Sequence, residues 1–281
     1  LYTAGYDDDA VAIFSIDQQN GMPIFADAIS STTEIPLDGV CSLAVSPDGT
    51  FLAAAVRNAG SLVLLGLDSN GVFSGVAEVS PLLDAFGIEN DEVTDLCLSP
   101  SGATAYVCGP EANCIAVFDI DPGALAVTPR EIVQTDTIGV LSAVNPEFIA
   151  ASPDGAHVAV SAPGNDTLLI LGCNQVGATP VPETAFRDEE NGIDGLNGGG
   201  GLCFGPLGTT LYATGYYDDA VSVFNYDGSG DLWTYTGKAE DSVDGVEGMK
   251  YPRDVAVSPD GTVVIVAASG SDAVSVFSRD D

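Results

Sequence analysis

The chain has 281 residues, 46% of them hydrophobic, and carries 41 acidic against 7 basic residues, for a net charge of −34. A field of this sign repels nucleic acid and anionic membranes, which are therefore excluded as partners. No apolar run reaches the roughly 18 residues of a membrane span, so no membrane-spanning segment is expected. The hydrophobic fraction is too high for a disordered chain. Two explanations of the acidity remain open: a hydrated surface suited to a salty medium, or carboxylates that bind cations such as Ca²⁺.

The first predicted elements are a strand over residues 1–5 and the phrase YDDDAVAIF at 6–14. This phrase returns as YYDDAVSVF at 216–224 and as SGSDAVSVF at 269–277. A second motif, an SPDG-like turn, gives the period, because its prolines are spaced by 53 residues. They are Pro47, Pro100, Pro153, Pro206 and Pro259. Repetition at a fixed period of this length is typical of repeat architectures.

One unit, residues 199–251, shows the internal pattern. An apolar run at 202–204 is followed by a turn, a strand at 210–215, an alternating segment at 219–226 and a fourth strand near 232–236. Alternation with period two indicates half-buried strands, and no segment has helical periodicity. Each unit is therefore predicted to be a four-stranded antiparallel meander, with strands A to D, forming one blade of a β-propeller.

The predicted fold is all-β: a β-propeller of four-stranded antiparallel blades with a 53-residue repeat, with six blades of which the first lacks strand A and the last lacks strand D. We predict a single domain over 1–281. Its blades are expected at about 1–38 (partial), 39–91, 92–144, 145–197, 198–250 and 251–281 (partial). Either the natural chain continues at both ends or a partner strand completes the open edges.

Cysteine and histidine positions give limited information. Cys108 and Cys114 flank a short turn and form a candidate disulfide. His157, the single histidine, opens a B strand and is predicted to lie on the surface. The sequence has no CxxC motif, so a zinc site is not expected.

Acidic loops suggest cation sites. In the predicted blades, the D–A loops and B–C turns lie on one face, where candidate metal ligands are Asp7, Asp8, Asp9, Asp218 and Asp219. On the other face, Asp227-Gly-Ser-Gly-Asp231 has oxygens spaced as in a small Ca²⁺ loop. Ca²⁺ is the one cofactor expected here. The alternatives are a solvated charged face and an ordinary turn.

The order of motifs in one unit resembles the lactonase-type propeller family, which includes 6-phosphogluconolactonase-like and YVTN-like proteins and acidic secreted members. The resemblance rests on the SPDG turn, an LY strand, DAVSVF and a D-x-x-x-G-like turn. It implies, in enzymatic members, an Arg/His/Glu cluster at the mouth of the central channel. Here Pro252-Arg253-Asp254 is similar to the family's Pro-Arg-His, with Asp in place of His. The matching positions in other blades are Cys41, Thr94, Glu147 and Gly200.

Two functions follow from this pattern. The first is a non-enzymatic module, extracellular, on a cell surface or periplasmic, for binding or structure. Its acidic face would bind Ca²⁺ or a protein partner, and its open blade edges would allow self-assembly. The second is a lactonase-like hydrolase acting on a small lactone at the central channel, with Glu147, Arg253, Asp95 and Asp254 as candidate catalytic residues.

Overall fold

The computed structural model describes residues 1–81, 92–136, 142–228 and 232–279, and all regular structure within these ranges is β. No helix among these residues could cross a membrane. The strands are β1 (Tyr2–Gly5), β2 (Ala10–Ile16), β3 (Pro23–Ser30), β4 (Val40–Val45), β5 (Phe51–Val56), β6 (Ser61–Leu67), β7 (Phe73–Pro81), β8 (Leu96–Leu98), β9 (Thr104–Gly109), β10 (Cys114–Asp121), β11 (Ala126–Gln134), β12 (Phe148–Ala151), β13 (His157–Ala162), β14 (Thr167–Gly172), β15 (Val181–Arg187), β16 (Gly199–Phe204), β17 (Thr210–Gly215), β18 (Ala220–Tyr226), β19 (Trp233–Glu240), β20 (Pro252–Val257), β21 (Val263–Ala268) and β22 (Ala273–Ser278).

These strands form six antiparallel sheets in which neighbours in sequence are neighbours in space. We name them blades 1 to 6: β1–β3, β4–β7, β8–β11, β12–β15, β16–β19 and β20–β22. Within the part of the chain that the structure describes, blade 1 has no strand A and blade 6 has no strand D. The predicted fold, a β-propeller with six blades of which the first and last are incomplete, is thereby confirmed.

Internal contacts divide the chain into two compact units, Leu1–Ile132 and Val133–Asp281. The single domain over 1–281 and the blade limits stay predictions. In the first unit, β5 is buried along its whole length, because successive side chains face different sheets. Phe51 packs with residues of blade 3, whereas Leu52 packs with Val11 of blade 1. The near-continuous apolar sequence of β5 follows from this two-sided burial.

In the second unit, the core between blades 4 and 5 is aromatic. Phe224 is fully buried against Phe186, and Trp233 packs near Phe204. His157 lies in this core and is only 4% exposed, so the prediction of a surface histidine is wrong. The rings of Tyr226 and Trp233, from the next blade, cover its imidazole edge-on.

The B–C turns explain why the DAVSVF phrase is repeated. At the same repeat position, six residues have φ between 50° and 52°, the left-handed region that Asp, Asn and Gly tolerate best. They are Asp9, Gly60, Asn113, Asp166, Asp219 and Asp272. Three of these carboxylates also accept a backbone N–H from a loop about 30 residues later: Asp9 from Gly39, Asp166 from Gly198 and Asp219 from Tyr251. The repeated aspartate therefore forms the turn and fastens the next loop to it.

The predicted disulfide between Cys108 and Cys114 is absent from the structure. In the β9–β10 hairpin, Cys108 is opposite Ile115 and Cys114 is opposite Gly109. Directly opposite residues share a face and successive residues alternate, so the two cysteine side chains point to different faces of the sheet. The register, which the sequence spacing does not determine, prevents the bond.

Candidate functional site

A β-bulge opens the first strand of blade 6. The β20–β21 register shifts between Pro252 and Asp254, which leaves Arg253 outside the regular ladder. The equivalent strands β4 and β16 have the same irregularity, between Val40 and Ser42 and between Gly199 and Leu202. A bulge redirects a side chain away from the sheet. In these three blades the shift leaves the same repeat position outside the ladder, and the residues there are Cys41, Gly200 and Arg253.

In the second unit, three residues at this repeat position line one cavity of about 290 Å³. They are Glu147 of blade 4, Gly200 of blade 5 and Arg253 of blade 6. The volume is close to the lower limit of ordinary small-molecule sites. The complete lining is Glu147, Phe148, Pro163, Gly198, Gly199, Gly200, Tyr216, Tyr217, Pro252 and Arg253.

The guanidinium of Arg253 lies against the ring of Tyr216, with Cζ 4.4 Å from the ring centroid. Its Nη2 donates to the Tyr216 hydroxyl at 3.4 Å, and its Nε donates to Ser269 Oγ at 3.3 Å. Tyr251 stacks on the ring of Tyr216 at 4.8 Å and an interplanar angle of 18°. Stacking on an aromatic face suits the planar, permanently charged guanidinium and limits its freedom.

The carboxylate of Glu147 is half-buried at the start of blade 4. Asn145 Nδ2 donates to its Oε1 at 2.7 Å, and the Glu147 backbone N–H donates to the Ser161 carbonyl at 3.0 Å. Glu147 takes part in none of the ion pairs within the described ranges, although it lines the same cavity as Arg253. A carboxylate and a cation that share a cavity without neutralising each other leave room for a ligand between them.

Three glycines of the run 198–201, Gly198, Gly199 and Gly200, form part of the same cavity wall. A Cβ on Gly199 would overlap the hydroxyl of Ser161, and one on Gly200 would lie 2.5 Å from Thr214 Oγ1. Only glycine fits where these strands approach so closely. The run therefore brings backbone to the cavity surface, as part of a strand.

The other two candidate catalytic residues are not in the lining of this cavity. Asp95, in the first unit, accepts hydrogen bonds from Ser42 Oγ at 2.6 Å and from the Leu96 N–H at 2.9 Å. Asp254 accepts from the Val255 N–H at 2.8 Å. Desolvation by the surrounding protein raises the pKa of Asp254, although the carboxylate reaches solvent. Both carboxylates therefore contact a backbone N–H at the beginning of strand A.

Of the candidate metal ligands, Asp218 belongs to a carboxylate group. Oxygens of Asp188, Asp194 and Asp218 lie within 4.8 Å of one another. Partial burial raises the pKa of Asp218, and the charges of Asp188 and Asp194 raise it further. Lys238 Nζ, however, lies 2.8 Å from Asp194 and supplies a positive charge. Asp218 also accepts a hydrogen bond from the Asn197 N–H at 2.9 Å. One blade earlier, Asn165 accepts the equivalent hydrogen bond from the Val144 N–H. Asp218 therefore fastens a loop in the same way as its neutral counterpart.

The remaining candidate ligands are not brought together with that group. Asp7 and Asp8 are exposed, Asp9 and Asp219 fasten loops as described above, and Asp227 is exposed beside the 229–231 segment. Asp231 lies outside the described residues. The Ca²⁺ sites stay a prediction.

Comparison with known proteins finds one family model that matches part of the chain. Residues 179–281 match the family model described as lactonase, 7-bladed beta-propeller. No curated protein sequence matches the chain significantly. The match confirms the resemblance to lactonase-type propellers and covers blades 5 and 6, including Arg253 and its aromatic support.

Solved structures extend the likeness to the whole chain. A candidate 6-phosphogluconolactonase from Bacteroides uniformis has a TM-score of 0.77 at 15% identity, over 100% of this chain and 77% of its own. The periplasmic gluconolactonase PpgL of Pseudomonas aeruginosa has a TM-score of 0.70 at 19% identity, over 96% and 73%. Hydrazine synthase of Kuenenia stuttgartiensis has a TM-score of 0.69 at 17% identity, over 99% and 80%. Such different proteins share the fold, so these likenesses show fold alone.

The family match corrects one prediction. The sequence favoured a non-enzymatic module because most of the catalytic cluster implied by the resemblance was missing. The lactonase model match over 179–281 points instead to an enzyme, which was the second hypothesis. Glu147 and Arg253 were named from the sequence. Tyr216, Tyr217 and Tyr251 were missed, although a tyrosine pair before Asp-Asp occurs in only one repeat.

Proposed function

We propose that this chain is a lactonase-like hydrolase that opens a small, uncharged lactone in the cavity lined by Glu147 and Arg253. The observation that carries the proposal is their placement: a carboxylate and an aromatic-supported guanidinium share one cavity without pairing. The family match over 179–281 supports the reaction class.

The reaction needs one general base and one positively charged group that stabilises the oxyanion. The Glu147 carboxylate takes a proton from a water molecule as the water oxygen attacks the lactone carbonyl carbon. The negative charge that develops on the carbonyl oxygen is stabilised by the Arg253 guanidinium. The tetrahedral intermediate then collapses, the ring C–O bond breaks, and the leaving oxygen takes the proton back from Glu147. The product is an open-chain hydroxy acid, and its carboxyl group releases a proton to solvent to give a carboxylate that faces Arg253.

An uncharged substrate suits the electrostatics of the chain. The net charge of −34 repels anions at long range and slows their encounter with the cavity. A neutral sugar lactone, of the kind named for the Pseudomonas protein, avoids that penalty, whereas a phosphorylated lactone does not.

The test is acid release from glucono-1,5-lactone and from its 6-phosphate in a pH-stat, corrected for spontaneous hydrolysis. We expect turnover of the neutral lactone, a loss of about 10²–10³ in kcat for Arg253→Ala and of about 10²–10⁴ for Glu147→Gln. Arg279→Ala, an exposed arginine outside the cavity lining, is the matched control and should retain activity. Rates equal to the uncatalysed background with both lactones would refute the proposal.

Location, Ca²⁺ and a protein partner outside the cell stay predictions from the sequence.

A further inference from the structure

Tyr251 has an unusual backbone conformation. The repeat requires positive φ at this position in four blades, and the residues there are Gly39, Asn145, Gly198 and Tyr251, with φ of 74°, 59°, 66° and 53°. Glycine and asparagine adopt this conformation readily, whereas a bulky residue is a rare outlier. Such strain concentrates at functional sites, so the tyrosine requires an explanation.

The space for the ring is built into the adjacent B–C turn. A Cβ on Gly270 would overlap the ring of Tyr251. In blade 5 the arrangement is reversed, because a Cβ on Gly198 would overlap the ring of Tyr217, the residue equivalent to Gly270. The pairs Gly39 with Asn58 and Asn145 with Gly164 show the same exclusion. In each of these pairs one member is glycine. In blade 6 the ring belongs to the loop residue, Tyr251, and the glycine is in the turn.

From the loop, Tyr251 reaches the support of Arg253 in two ways. Its ring stacks on the ring of Tyr216, and the Arg253 guanidinium lies 4.4 Å from the centroid of that same ring. The Tyr251 carbonyl accepts a hydrogen bond from Ser269 Oγ at 3.1 Å, and Ser269 Oγ in turn accepts one from Arg253 Nε at 3.3 Å. The Tyr251 N–H is in turn fixed by Asp219 at 2.8 Å.

We infer that Tyr251 is a positioning residue: its strained backbone and the vacant volume at Gly270 place a ring that holds Tyr216, and through it the guanidinium of Arg253, at the cavity. The inference rests on the proposed function for its catalytic meaning, and on the contacts alone for its structural meaning. In blade 5 the matching loop position is Gly198, and the ring of Tyr217 in the turn contacts Tyr216 edge-on at 4.9 Å, so the stacked ring comes from Tyr251.

The experiment measures the NMR signal of the Arg253 Nε–H group. The chain has five arginines, so ¹⁵N-arginine labelling gives a simple spectrum of Nε–H signals, assigned by Arg253→Lys. The Arg253 signal should be shifted upfield by the Tyr216 ring current. Tyr251→Gly, which also relieves the backbone strain, should lose much of that shift while the melting temperature changes little. Gly270→Ala should have the same spectral effect by displacing the ring, and it leaves residue 251 unchanged if Tyr251→Gly folds poorly.

Tyr251→Phe retains the ring and should retain the shift. Asn58→Ala, at the equivalent pair in the first unit, should leave it unchanged. In the lactone assay, Tyr251→Gly should lower kcat about tenfold or more with a smaller change in KM, because misplacing a group that acts in the transition state affects the chemical step.

An Arg253 signal that is the same in wild type, Tyr251→Gly and Gly270→Ala would overturn the inference, even if activity fell. Absence of lactone turnover in the wild type, with the spectral changes present, would reject the proposed function and leave the positioning role standing.

Discussion

Blades 5 and 6 contain the same six letters, DAVSVF, at 219–224 and 272–277, yet the two strands have different surroundings. In blade 5, Val221 is 4% exposed and Phe224 is fully buried. In blade 6, Val274 and Val276 are 62% and 66% exposed. Strand β18 lies between β17 and β19, whereas β22 pairs only with β21 in the described residues. The phrase determines the turn and the strand, and the neighbouring strands determine what that strand contributes to stability.

The largest contrast should come from the phenylalanine of the phrase. Phe224→Ala removes a ring packed between Phe186 and Tyr235 and should destabilise the fold by about 3–5 kcal/mol. Phe277→Ala, at a half-buried position, should cost less than half as much. Urea denaturation of the two variants measures the difference. Equal losses would mean that β22 is covered as completely as β18.

The aspartate of the phrase gives a second contrast. Glycine accepts the left-handed conformation, so Asp→Gly removes only the carboxylate. Asp219→Gly frees the Tyr251 N–H and should cost about 1–3 kcal/mol. Asp272 has the same φ, near 50°, but its carboxylate accepts no hydrogen bond from the described residues, so Asp272→Gly should change stability by about 0.5 kcal/mol or less. A similar cost at both sites would show that the turn itself, and not the fastening of the next loop, needs the carboxylate.

The smallest contrast concerns the A–B turns, which read GPLG at 205–208 in blade 5 and SPDG at 258–261 in blade 6. Hydrogen bonds from the Ser258 hydroxyl and from Thr262 lower the pKa of Asp260 to about 2. Because the folded-state pKa lies below the unfolded value, the stabilisation is present above about pH 4 and is lost as pH falls towards 2.

Asp260→Leu introduces the residue that blade 5 has at the same turn position, Leu207, and tests this titration. Its melting temperature should be below that of the wild type at pH 5, and the gap should close as the pH approaches 2. A gap that stays constant over this range would exclude the carboxylate as its source.

The sequence was sufficient for most of the fold because the period fixes the strands. Pro47 and its equivalents locate the A–B turns, and the count of strands per blade follows from the repeat. Predictions that depended on contacts between strands failed. His157 follows a turn motif, but its burial comes from Tyr226 and Trp233, about 70 residues later. Cys108 and Cys114 are close in sequence, but the hairpin register separates their faces.

The site was only partly predictable for a related reason. Arg253 and Glu147 were named as candidates because they depart from the repeat at a position that the resemblance marks, and both line the cavity. Asp95 and Asp254 share an equally prominent position, but their carboxylates are used by the backbone of the strand. Tyr251 could have been found by its own departure, a tyrosine where the aligned residues are Gly39, Asn145 and Gly198. Its contact with Tyr216, 35 residues earlier, needs the folded blades.

The exclusion between the loop residue and the turn residue of each pair also limits how this protein can change by mutation. A ring can move from Tyr217 in the turn to residue 198 in the loop only through a state with glycine at both positions, because two rings would overlap. The intermediate with two glycines keeps a feasible backbone, whereas the order that adds the new ring first produces a collision. The fitness effect of either substitution therefore depends on which one occurs first, and blades 5 and 6 represent the two end points of that path.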